Sequence, residues 1–236
     1  MNKLIVVSGG TKGIGLAILK RFAIEGFDVA TCARNADALE KAKEEISAIK
    51  GERQIYTFQA DLSKNEDVKK FVDFVKYTHR QVDVLVNNAG LFIPGQVHNE
   101  EEGRLEMMIN TNLYSAYHLT RGFVEEMKNK SKGHIFNMCS TASIVPYTNG
   151  GSYCISKFAM LGMSKVLREE LKTFDVKVTS IMPGATLTAS WEGTDLPEER
   201  FMKAEDVAEL VYHAYALSGR SVVEEILVRP QLGDLD

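Results

Sequence analysis

A doubly wound α/β fold is the architecture this sequence predicts: one parallel sheet of about seven strands with helices on both faces. Three observations carry that expectation. Short apolar runs alternate with longer segments of helical period along all 236 residues. The first run, Leu4-Ile5-Val6-Val7-Ser8, is continuous rather than alternating, which suits a strand buried on both faces of a parallel sheet. It opens directly onto a glycine-rich turn, Gly9 to Gly15, and then onto a helical pattern. Strands are expected at 4–8, 28–32, 54–59, 82–87, 133–139, 177–181 and 223–228. Helices are expected near 13–25, 36–49, 64–77, 101–128, 152–173 and 204–217.

The first strand, turn and helix form a phosphate-binding pattern. Amides at a helix start can hold a phosphate, helped by the helix dipole. Glycines at Gly9, Gly13 and Gly15 let the backbone approach a pyrophosphate, with Thr11, Lys12 and Ile14 between them. The spacing is G-x-x-x-G-x-G, and glycines chosen only for a tight turn would read the same way. The second strand ends at Ala33-Arg34. An NAD site usually carries an acid about twenty residues beyond its glycines. Counting from Gly13 reaches Ala33, which has no carboxylate, followed by Arg34. Arg34 and Lys12 therefore point to a 2′-phosphate and to NADP(H) over NAD(H), unless both are ordinary solvated charges.

A second pattern lies in the Tyr153-Cys154-Ile155-Ser156-Lys157 segment. On a helix, positions i and i+4 share a face, so an ammonium is set beside a phenol. A nearby cation favours the phenolate, and the pair becomes an acid/base device suited to carbonyl and alcohol chemistry. By itself the same spacing also describes a surface Lys beside a half-buried Tyr.

Composition bounds the rest. Hydrophobic residues at 44% and charged residues at 25% match an ordinary globular protein, and the length suits one domain covering 1–236 with one sizeable core. A net charge of −4 supplies no field that would draw the chain to nucleic acid. No apolar run reaches membrane-spanning length, and Met1-Asn2-Lys3 leads straight into the first strand with no signal-peptide pattern. Three cysteines without metal-ligand spacing fit a reducing cytoplasm, with Cys139 and Cys154 as small apolar filler. The five histidines are scattered, so no metal is expected. Residues Asp37 to Lys50 read as a solvated helix face, and Ser63 as the cap of the third helix. Residues 184–203 lack periodicity, and a loop of that length is expected to be a substrate lid.

In this order the motifs resemble the short-chain dehydrogenase/reductase family over essentially the whole chain. The matching residues are Ser8 to Gly15, with Ser8 where the family usually has Thr, then Asp61-Leu62, Asn87-Asn88-Ala89-Gly90, Asn112, Ser140, Tyr153, Lys157, Pro183-Gly184 and Thr188. Ser140 precedes Tyr153 by the family's thirteen residues. The resemblance implies a Rossmann-type fold and NADP(H) as cofactor. It implies that Gly9, Gly13, Ile14 and Gly15 surround the pyrophosphate. Asp61 would lie at the adenine, and Leu62 beside it in the cofactor site. Asn88, Ala89 and Gly90 would line the adenosine ribose, or Asn87 and Asn88 would only stabilise a turn. Thr188 and the backbone near Ile181 to Gly184, Pro183 included, would hold the carboxamide, with Thr186 also in the cofactor site. Tyr153 would be general acid or base, Lys157 would hold the nicotinamide ribose, and Ser140 would bind the substrate oxygen. Asn112 would perturb its helix and seat a water that feeds Lys157. Cys139 stands where the family often has Ser.

The C-terminal run Val222 to Pro230, Gly233-Asp234 and Trp191 resemble bacterial sepiapterin-reductase-like members. They imply a small carbonyl substrate, such as a pterin carbonyl. Trp191 would stack on a flat heterocycle or anchor the lid. Phe92 and Tyr147 would wall the pocket or act as cover. The alternatives are a 3-oxoacyl-carrier-protein reductase, a general ketoreductase or alcohol dehydrogenase, and an NADP(H)-binding regulator without turnover. The acidic lid (Glu192, Asp195, Glu198, Glu199) counts against an acidic carrier partner. The helices at 101–128 and 152–173 resemble those that pair subunits in this family, implying a homodimer or homotetramer.

Overall fold

Residues Leu4–Ser8 form strand β1, and all five are buried. Odd and even positions serve different layers. Ile5 and Val7 join a core with Ile18, Phe22, Val207 and Val211, whereas Leu4 and Val6 join one with Phe71, Val75, Leu119 and Phe123. A strand with two apolar faces has no polar alternation to show, which explains the continuous run. Fully burying one such side chain stabilises the fold by roughly 1.5–3 kcal/mol.

The computed structural model describes residues 2–188 and 193–234. The remaining strands are β2 (Asp28–Ala33), β3 (Ile55–Gln59), β4 (Val82–Asn87), β5 (Gly133–Met138), β6 (Val176–Pro183) and β7 (Glu225–Val228). All pair in parallel in the order β3-β2-β1-β4-β5-β6-β7. The order reverses beside β1, whose Val7 is paired with Thr31 on one side and Val86 on the other. Connections leave β1 and β4 toward opposite sides, and a crevice forms at their C-terminal ends.

Helices α1 (Gly13–Ile24), α2 (Ala36–Ser47) and α7 (Ala204–Ala216) contribute to the first core. Helices α3 (Asn65–Tyr77), α5 (Ser115–Asn129) and α6 (Gly151–Leu171) contribute to the second. The helix expected over 101–128 is not continuous. Gly103 is left-handed at φ +88°, so α4 starts at Arg104 and ends at Met108. A π-helical segment, Ile109–Tyr114, then separates α4 from α5. The cap of α3 is Lys64 rather than Ser63, whose hydroxyl donates to Asp61 Oδ1 at 2.8 Å. Strand β6 runs on to Pro183, two residues past the expected end.

At the N-terminal ends of the strands, opposite the crevice, His134 is buried on β5 with its ring stacked on Phe136, centroids 3.9 Å apart. The Thr179 hydroxyl donates to the Val223 carbonyl at 2.5 Å, so it accepts from His134 Nε2 at 2.7 Å. That assigns the proton to Nε2 and leaves Nδ1 bare, with no partner among the described residues. Burial first, and then the Lys177 ammonium, push the imidazole pKa down to about 3.

Candidate active site

Two loops meet at the crevice. Gly9 and Gly13 take φ +68° and +55°, which L side chains rarely adopt. Gly15 is required by proximity: a Cβ there would stand 2.5 Å from Asn88 Nδ2 and 2.6 Å from the Gly9 carbonyl oxygen. Helix α1 begins at this turn with no side-chain cap and no acid in its first turn. Its first amides thus fit an anion such as the pyrophosphate of a dinucleotide. Thr11 and Ile14 are half-buried around it.

The facing loop is joined to the turn through Ser8. Its hydroxyl accepts from the backbone N–H groups of Asn88 at 2.9 Å and Ala89 at 3.0 Å. Asn88 Nδ2 donates back to the carbonyls of Ser8 at 2.9 Å and Gly9 at 3.1 Å. The Asn88 amide is therefore spent on the turn. Asn87 points into the core, donating to Thr120 Oγ1 at 3.0 Å and Asn137 Oδ1 at 2.8 Å.

At the far end of β2, Arg34 and Lys12 are exposed and pair with no carboxylate among the described residues. The Asp61 carboxylate accepts from the Ser63 N–H at 3.1 Å, and Leu62 is buried in the core. On the other flank, Gly184 N–H donates to the Val228 carbonyl at 2.8 Å, and the Thr186 hydroxyl donates to the Gly184 carbonyl at 3.1 Å. Pro183 is the last residue of β6. Thr188 faces the glycine turn, its Cγ2 lying 3.0 Å from where a Cβ on Gly13 would be.

The π-helical segment supplies the second half of the site. Asn112 is fully buried there. Its Oδ1 accepts from the Leu91 N–H at 2.7 Å, and its Nδ2 donates to the Leu91 carbonyl at 3.0 Å and to Ser156 Oγ at 2.9 Å. Ser156 Oγ in turn donates to the Tyr153 carbonyl at 2.7 Å. One amide therefore links the loop after β4 to the first turns of α6. The widened turn carries Asn112 within a run whose apolar residues keep an ordinary helical spacing.

Tyr153 and Lys157 lie together on α6, with Lys157 Nζ 5.7 Å from the Tyr153 ring centroid. Lys157 is 6% exposed and donates to the Met138 carbonyl at 2.7 Å. An ammonium has three donors, so two remain for other partners. A Cβ on Gly90 would lie 3.7 Å from Lys157 Nζ and 3.6 Å from Asn112 Oδ1, which brings the three elements to one place. Ser140 is extended and caps the short 3-10 turn Thr141–Ser143, its Oγ accepting from Ala142 N–H at 3.1 Å. Its hydroxyl hydrogen donates to no group among the described residues.

Phe92 sets its ring against Tyr153, centroids 4.9 Å apart at 75°. Tyr147 is half-exposed on the loop before α6, and burial, then Tyr153 and Cys154, push its phenol pKa up. Trp191 falls outside the described residues. Glu100 carried no signal in the sequence. Its carboxylate accepts from the Ser152 N–H at 2.9 Å and from the Ser152 hydroxyl, and these bonds hold its pKa below the usual carboxylate range.

The chain is similar in sequence and fold to known proteins. A profile of the short chain dehydrogenase family matches residues 3–198. The sepiapterin reductase of Chlorobaculum tepidum is 32% identical over 243 aligned positions, covering 100% of this chain and 99% of that one. A metagenomic short-chain oxidoreductase in complex with NADP superposes at a TM-score of 0.85, with 30% identity and 97% of each chain covered. The alcohol dehydrogenase of the archaeon Thermococcus sibiricus, complexed with 5-hydroxy-NADP, superposes at 0.90 with 28% identity over 100% of both chains. Matches of this extent leave one assignment: the chain belongs to the short chain dehydrogenase family, NAD(P)-dependent oxidoreductases acting on CH–OH and C=O groups.

Proposed function

We propose that this protein is an NADPH-dependent carbonyl reductase in which Tyr153 is the general acid. One observation carries the reading: Tyr153 and the buried Lys157 share the inner face of α6 where the Gly90 loop and Asn112 converge. The uncapped start of α1 fits the pyrophosphate, and Arg34 and Lys12, which pair with no carboxylate among the described residues, support a 2′-phosphate in place of a ribose hydroxyl. When bound, the reduced nicotinamide supplies a hydride. The chain's own residues supply position and a proton. Ser140 offers its free hydroxyl hydrogen to the substrate oxygen, and Tyr153 gives that oxygen its proton. Lys157 sets its ammonium beside the phenol while the Met138 carbonyl fixes its reach. Asp61 and Leu62 close one end of the cofactor groove, and Gly184, Thr186 and Thr188 the other.

The full-length similarity to a sepiapterin reductase supports a pterin-type carbonyl substrate. The archaeal alcohol dehydrogenase supports a general ketoreductase as the alternative. Residues 184–203 form the lid of a single domain. Its arms are pinned at their base, where Leu187 N–H donates to the Met202 carbonyl at 2.8 Å and Met202 N–H to the Ala185 carbonyl at 3.0 Å. Exposed apolar side chains on α4 to α6, among them Met107, Tyr114, Tyr117, Phe158 and Val166, support pairing into a homodimer or homotetramer. Three buried free thiols support a reducing cytoplasm. Among the described residues no helix is long and apolar enough to cross a membrane.

The test is loss of NADPH absorbance with a panel of diketones and pterin carbonyls. Tyr153→Phe is expected to cut turnover by about 10²- to 10⁴-fold, the span of general acid catalysis, while NADPH still binds. Near-normal turnover by that variant rejects the acid role. Tight NADPH binding by the wild type with no turnover across the panel favours a regulator.

A further inference from the structure

We infer that Glu100 is a positioning residue for Tyr153, clamping the first turn of α6 through Ser152. The inference rests on the reading of Tyr153 as the acid. Both carboxylate oxygens of Glu100 are spent on Ser152, the residue immediately before Tyr153: one on its N–H at 2.9 Å, the other on its hydroxyl. A carboxylate at a helix start also meets the positive end of the helix dipole, and α6 is a helix of 21 residues.

The surroundings are shaped around this side chain. A Cβ on Gly95 would stand 2.7 Å from Glu100 Cγ, and a Cβ on Gly151 would collide with Glu100 Oε1. Gly151 also takes φ +35°. The same two stretches are stitched together by the Gly95 N–H to the Asn149 carbonyl at 3.0 Å and by Gln96 Nε2 to Asn149 Oδ1 at 3.1 Å.

The loop from Leu91 to Glu100 thereby touches Tyr153 directly through Phe92 and constrains it indirectly at the loop's two ends. Asn112 holds its start at Leu91, Phe92 sets a ring edge on the phenol ring, and Glu100 fixes the backbone entering Tyr153. Without the carboxylate, the first turn of α6 loses its anchor and the phenol loses a defined position. Reacting groups tolerate little displacement.

The test compares Glu100→Ala, Glu100→Gln and Tyr153→Phe with the wild type. Readouts are kcat, KM and Kd for NADPH, the thermal midpoint, and amide hydrogen exchange over residues 151–156. Glu100→Ala is expected to lower kcat by about 10- to 100-fold, as a misplaced acid would. Its NADPH Kd stays within about twofold, because the nucleotide contacts are elsewhere, and exchange over 151–156 quickens as in local unfolding. Glu100→Gln restores kcat to within about threefold, since its carbonyl still accepts from Ser152 N–H and its amide donates to Ser152 Oγ.

A wild-type kcat in Glu100→Ala overturns the inference, as does a glutamine variant as slow as the alanine one. Parallel losses of kcat, NADPH affinity and thermal midpoint assign a general structural role and also overturn it. If Glu100→Ala does not fold, Ser152→Ala carries the test, with kcat expected to fall several-fold at unchanged NADPH Kd; an unchanged kcat refutes the clamp. An active Tyr153→Phe removes the acid assignment itself, whatever the Glu100 variants do.

Discussion

Acidification should destabilise this fold through His134 before the carboxylates begin to titrate. The imidazole is held neutral in the folded state, with its pKa pushed down to about 3 by burial and by Lys177. In the unfolded chain it titrates near 6.5. Between these values the unfolded state binds a proton that the folded state refuses, so stability rises with pH across the window and falls as pH drops through it. Each unit is worth about 1.4 kcal/mol, so moving from pH 7.5 to 5.0 should cost about 2 kcal/mol from this residue. The loss should approach about 5 kcal/mol near pH 3. At pH 5.0 most carboxylates are still ionised in both states, which isolates the histidine. His118, also lowered by burial, acts in the same direction, so the comparison needs a variant. In His134→Gln the Nε2 donor to Thr179 is retained and the titration is removed. Urea unfolding at pH 7.5, 6.0 and 5.0 should give a wild-type stability loss larger than the variant's by about 2 kcal/mol. Equal losses in the two proteins would refute the buried neutral imidazole.

Two further outcomes follow from the cofactor groove. Gly15→Ala should destabilise by about 3–5 kcal/mol, combining overpacking with the loss of the Asn88 hydrogen bonds to Ser8 and Gly9. It should also weaken NADPH; urea melts and a fluorescence titration check both. Arg34→Ala should raise the Kd for NADPH by about 10- to 100-fold, the worth of charge-assisted hydrogen bonds to phosphate, and change NADH by less than about twofold. Equal losses for the two nucleotides would remove the 2′-phosphate assignment.

The fold was legible because its signals are local. Buried parallel strands must be continuously apolar, and helices on either face must be amphipathic, so β1 to β7 and most helix positions could be placed by period. The break at Ile109–Tyr114 was invisible to periodicity for the same reason, and only the family resemblance pointed to a perturbed helix at Asn112. A π-helical widening changes hydrogen-bond partners, while the apolar spacing still reads as an uninterrupted helix. Gly103 could have flagged the late start of α4, since glycine is the usual left-handed residue at a helix end. Site residues joined by short spacing, such as Tyr153 and Lys157, could be paired in advance. Glu100 could not, because its partner lies 52 residues away and a lone Glu in an acidic stretch looks like a solvated charge. Asn88 showed the opposite limit. Its presence was informative, yet only coordinates show its amide turned to the glycine turn rather than outward.

Ser8 gives the last point. A single oxygen there receives two amides from beyond β4, so the two arms of the sheet are coupled at their meeting point by one atom. Threonine would offer the same oxygen with an added methyl, whereas alanine, valine or cysteine would leave two N–H groups without a strong acceptor. Of these replacements only threonine keeps the coupling intact, and the serine found here is the smaller of the two side chains that supply it.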